Sequence, residues 1–87
     1  MNKGSQQEVF EALKEERVYQ DNLSPERTDN HYRTVAEELV LMKTYLERAF
    51  VAWTDNPGDE QALDVIRKVG GMAVRCMENN GVVRRLK

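Results

Sequence analysis

The apolar positions recur every three or four residues in three separate stretches, and that spacing predicts three helices. In residues 34–53 (TVAEELVLMKTYLERAFVAW), Val35, Leu39, Met42, Leu46, Ala49, Phe50 and Trp53 form one stripe, uninterrupted by Gly or Pro. Twenty residues at 1.5 Å each give a helix about 30 Å long. Val40, Leu41 and Tyr45 widen the stripe beyond the needs of one neighbouring helix. Thr34 and Glu37 have the spacing of a capping box at its start. This stretch reads as the central helix.

TDNPG, residues 54–58, breaks the pattern, and a second long stripe follows over residues 59–80. Asp59 is placed to cap it, with Glu60 in its first turn. Ala62, Leu63, Ile66, Val69, Gly70, Ala73 and Met77 make its inner face, flanked by Val65, Met72 and Cys76. Gly70 and Gly71 are costly inside a helix, so they predict a close crossing with another element. Gly81 suits a left-handed C-cap. The short connection implies an antiparallel hairpin of the two long helices.

The first stripe, in residues 6–21, is weaker. Val9, Phe10 and Leu13 are apolar, and then the same face turns to Arg17 and Gln20, with Val18 off the stripe. Residues 22–33 (NLSPERTDNHYR) are aperiodic, with Ser24 and Pro25 marking a turn or a one-turn helix. The expectation is an all-α single domain over 1–87: a short N-terminal helix, a long antiparallel helical hairpin and a basic tail at 82–87. The apolar surface of the long helices exceeds what a solitary hairpin can cover, so a homodimer or higher oligomer is expected.

Composition narrows the chemistry. Net charge is −2, divided into −4 over residues 1–58 and +2 over 59–87. No clustered basic face appears, which argues against nucleic acid as a partner. No apolar run is long enough to span a membrane, and the first ten residues lack a secretory h-region. Residence in the cytoplasm is the expectation. One Cys and one His remove disulfide frameworks and compact His-rich metal sites.

Two polar groupings could carry function. Glu16, Arg17, Gln20 and Asp21, with His31, Tyr32 and Arg33 in the following loop, could form a ligand pocket: Arg17 for a carboxylate or phosphate, His31 or Tyr32 stacking on a base. The same residues could equally be a salt-bridge lock between the first helix and the loop. Glu37 and Glu38 are candidate Mg²⁺ ligands, and Glu60 and Asp64 lie a turn apart on the next helix. No cofactor is called for unless the chain is enzymatic, in which case Mg²⁺ is.

The succession VFEALKEERVYQD (9–21), TVAEELVLMKTYLERAFVAW (34–53) and GDEQALDVIRKVGGMAVRCMENNG (58–81) resembles small phage and prophage helical proteins whose first helix ends in Glu-Arg-x-x-Gln-Asp. These are loosely related to the MazG-like all-alpha nucleotide pyrophosphohydrolases. That resemblance implies a helical oligomer and, in active members, Mg²⁺-dependent cleavage of nucleoside triphosphates by carboxylates in E-x-x-E and E-x-x-D arrangements. Here Val40 stands where the first motif after Glu37 needs an acid, and three residues separate Glu60 from Asp64. The departures favour a non-catalytic, phage-encoded binding protein, a regulator or inhibitor of a host protein or a nucleotide signal. The alternative is a Mg²⁺-dependent pyrophosphohydrolase.

Overall fold

A computed structural model describes residues 3–23 and 32–86. Three helices and no strand occur among them: α1 (Gln6–Asn22), α2 (Val35–Asp55) and α3 (Glu60–Asn80). The chain is an all-α three-helix bundle. Ser24, Pro25 and His31, which the sequence marks as turn and ligand residues, lie outside the described residues.

Local chemistry starts the first two helices. Ser5 and Glu8 form a capping box on α1, and Thr34 and Glu37 form one on α2. Glu37 donates its amide to Thr34 Oγ1 at 3.1 Å, and its carboxylate accepts from the Thr34 amide at 2.8 Å. Two helix-end N–H groups are thereby satisfied at once. Thr34→Ala is expected to lower stability by about 1 kcal/mol, read as a shifted urea midpoint at unchanged slope.

Two expected caps are corrected. Asp59 does not cap α3; its Oδ1 accepts from the Trp53 indole Nε1 at 3.0 Å, tying the end of α2 across the connection. Gly81 has a positive φ of 119°, but its ψ of 151° takes the chain straight into an extended segment rather than a left-handed turn.

The centre of the bundle also differs from expectation. Both α1 and α2 pack on α3, and α1 does not pack on α2. The last helix is therefore the core element, in place of residues 34–53. Its register with α2 is set by three contacts: Glu38 with Arg75, the Arg33 carbonyl with Asn80, and Trp53 with Asp59. α1 crosses at the glycine pair. A Cβ on Gly70 would lie 2.6 Å from Leu13 Cδ2, and one on Gly71 would lie 2.7 Å from both Glu16 Cγ and Gln20 Nε2. At Gly71 only glycine lets the helices approach this closely, whereas at Gly70 the close neighbour is the tip of a flexible side chain.

What is buried is unusual. Among the described residues the buried apolar side chains are Ala49, Ala62 and Met72, whereas Glu16 and Glu38 are both buried. The stripe that the spacing assigns to the core of α2 is largely turned outward: Leu39 is 58% exposed, Phe50 73% and Trp53 60%. Glu38, Leu41, Met42, Tyr45, Ala49 and Ala52 are covered instead. The chain exposes 7398 Å², against about 5,300 Å² for a compact folded monomer of this mass. Its radius of gyration, 14.4 Å, exceeds the roughly 12 Å of a compact chain this long.

Candidate functional site

The first polar grouping is a network between α1 and α3. Glu16 follows Leu13 by three residues, so it lies on the apolar side of α1 and is carried into the crossing. Its Oε1 accepts from Arg67 Nε at 3.1 Å and its Oε2 from Gln20 Nε2 at 3.1 Å. Gln20 Nε2 also donates to the Lys68 carbonyl at 3.2 Å, and Gln20 Oε1 accepts from an Arg17 guanidinium N–H at 3.3 Å. Arg17 then bridges Asp21 at 2.9 Å and Glu78. On the far side Arg67 reaches Asp64 at 2.6 Å.

The electrostatics follow from these contacts. The hydrogen bond with Glu16 holds the Arg67 guanidinium above its ordinary pKa. Burial works against the charge of Arg17, but the bonds to Glu78 and Asp21 outweigh it and leave its pKa raised. The Arg67 hydrogen bond holds the Asp64 carboxyl below its usual value of 3.8. Because the folded value is depressed, this contribution is complete at neutral pH and disappears as pH falls through the acid range below 3.8. Asp64→Asn should therefore flatten the acid limb of a stability–pH profile while changing little else. Asp64 is half exposed, so the effect is small.

The second grouping joins α2 to α3. Arg75 donates from Nε to Glu38 Oε2 and from a terminal guanidinium nitrogen to Glu38 Oε1, both at 2.6 Å. This is a two-pronged pair, and Glu38 is 0% exposed. Glu37 faces its own helix start, as described above. These two candidate metal ligands thus have protein partners in different directions. No group of three or more His, Cys, Asp or Glu side chains able to hold a metal occurs among the described residues.

Of the residues nominated as a ligand pocket, Glu16, Arg17, Gln20 and Asp21 are brought together. Tyr32 and Arg33 are placed at the far end of α3, where the Arg33 carbonyl accepts from Asn80 at 3.1 Å, two residues from the Glu78 held by Arg17. Tyr32 is exposed. Residues that sequence reasoning did not nominate complete both groupings: Arg67, Glu78 and Arg75, all on α3. Their signal is an arginine on either side of the Gly70–Gly71 pair, in a helix whose neighbours each place a glutamate among apolar residues.

What the arrangement does chemically is to spend charge on packing. Glu16 and Glu38 each have two protein hydrogen-bond donors, and no buried side-chain N or O among the described residues lacks a partner. The large unspent surface is apolar. Compared with protein-family models, curated proteins and solved structures, the chain finds no match.

Proposed function

We propose that this chain is a non-catalytic helical binding protein, phage-encoded and resident in the host cytoplasm, that regulates or inhibits a host protein or a nucleotide signal. It works as a long antiparallel hairpin with a short N-terminal helix, assembled into a homodimer or higher oligomer. One observation carries the reading: Glu16, Asp21 and Glu38 are engaged with arginines and Glu37 is held in the Thr34 cap, while Leu39, Phe50, Trp53 and Ile66 face outward. A catalytic carboxylate must be available to metal, water or substrate, and Glu38 is enclosed against Arg75.

The nucleotide version is supported by Arg17 reaching Glu78 and the Arg33 backbone carbonyl reaching Asn80, which puts Tyr32 and Arg33 in sequence next to the end of α3 that Arg17 contacts, where cation and aromatic ring could meet a phosphate and a base. Calorimetric titration with nucleoside triphosphates and with cyclic nucleotides, with and without Mg²⁺, tests it, each sample being assayed for turnover. Binding without turnover is expected. Mg²⁺-dependent loss of triphosphate would overturn the non-catalytic reading in favour of the pyrophosphohydrolase. Silence across the panel would discard the nucleotide and leave a host protein as the partner.

A further inference from the structure

The outward apolar residues of α2 and α3 form one surface. At about 100° per residue, Val35, Leu39, Leu46, Phe50 and Trp53 lie within a narrow sector of α2, about a third of a turn from the covered sector of Glu38, Leu41, Tyr45 and Ala52. On α3, α1 covers the side of Arg67, Gly70 and Gly71, and α2 covers the side of Met72 and Arg75. Leu63, Ile66 and Met77 lie between the two, on the sector of Gly70, and remain exposed. With the start of α2 beside the end of α3, the right-handed sense of both helices turns the two exposed sectors to the same side of the α2–α3 pair.

We propose that this α2–α3 face is covered by a second copy of the same chain, with the two α2 helices antiparallel about a two-fold axis. The area argues for a copy. The excess over a compact monomer is about 2,100 Å² per chain, part of it in the extended segment 81–86. An obligate homodimer buries about 2,000–5,000 Å² in total. The stripe matches itself as well. The outward residues Val35, Leu39, Leu46, Phe50 and Trp53 are spaced by four, seven, four and three, the repeat by which one helix packs along another.

Charge chooses the direction. Lys43 and Glu47 flank the stripe on the side away from α3, both are exposed, and neither forms an ion pair within the described chain. In antiparallel pairing centred near residues 44 and 45, Leu39 is level with Phe50 of the second copy, and Val35 comes within one residue of the level of Trp53. Lys43 comes within one residue of the level of Glu47, twice by symmetry. Parallel pairing would put the Lys43–Glu47 flanks of the two copies on opposite sides, where these charges do not meet. It would also leave Leu63, Ile66 and Met77 uncovered, because the two α3 helices would lie on opposite sides. Antiparallel pairing puts both α3 helices on one side, apolar sector to apolar sector, as a four-helix layer.

The inference deepens the proposed homo-oligomer and is independent of any ligand, so a silent nucleotide titration leaves it standing and a failure here leaves the titration result standing. The test is light scattering of the full chain and three variants at micromolar concentration and low salt. Leu46→Lys is expected to raise the dissociation constant about 100-fold or more. Lys43→Glu, a surface change that removes no contact within the chain, is expected to raise it about tenfold. Lys43→Glu/Glu47→Lys should restore the native value. An unchanged mass for Leu46→Lys, an odd-numbered native assembly, or a Lys43→Glu effect that is absent or unrestored by the double variant would each overturn the proposal.

Discussion

Replacing Arg75 by alanine is expected to destabilise the fold by about 3–5 kcal/mol, a large share of the 5–15 kcal/mol typical of a whole domain. The cause is the residue left behind. Glu38 is fully buried and its partners are two nitrogens of Arg75 at 2.6 Å. Without them its carboxylate is charged in an apolar setting, or it must take up a proton. Glu38→Gln should cost less, because a neutral amide can still accept from Arg75. Joint replacement of the pair by Leu and Met should recover much of the loss, since an apolar pair of similar volume carries no desolvation cost. Urea denaturation at one fixed protein concentration measures all of these, concentration being held because an assembly's stability depends on it.

Gly71→Ala is expected to cost about 1–2 kcal/mol net, against a change close to neutral for Gly70→Ala. Alanine would improve intrinsic helix propensity at either site by up to about 1 kcal/mol, so any loss is a packing effect. At Gly71 the new methyl would lie 2.7 Å from Glu16 Cγ. Glu16 is pinned by Arg67 and Gln20, so moving it strains those bonds. Overpacking of this kind typically costs about 1–3 kcal/mol. At Gly70 the methyl would meet only the Cδ2 tip of Leu13 at close range, a half-buried side chain free to change rotamer. Equal losses at the two sites would mean that α1 does not cross α3 where the side chains place it.

The all-α class was legible because periodicity and caps are local. The Thr34–Glu37 box and the break after α2 need only neighbouring residues to act; the box stands where the spacing puts it, and the helix runs two residues past the expected end, to Asp55, before the break. The glycine pair announced a close crossing, though not that α1 would be the helix received there. What stayed hidden is which side of each stripe faces inward within one chain. Helix spacing shows that Leu39, Leu46, Phe50 and Trp53 share a face, but it cannot say whether that face meets α3 or a second molecule. The structure turns it outward and brings Glu38 inward, because Arg75 is there to meet it.

The polar grouping at Glu16–Asp21 was legible as a unit, since i, i+3 and i, i+4 neighbours on a helix can be read directly. Its partners Arg67 and Glu78 are 51 and 61 residues away in sequence and follow only from tertiary packing. The same holds for Asp59, whose expected cap role yields to the indole of Trp53.

If polar pairs lock the three helices and a second copy covers their apolar face, as proposed, the native chain is an even-numbered assembly. The most direct measurement is the native chain's mass by light scattering at micromolar concentration. The expected mass is twice 10.1 kDa, or an even multiple built from that dimer. A folded, helical species of one 10.1 kDa chain would contradict it.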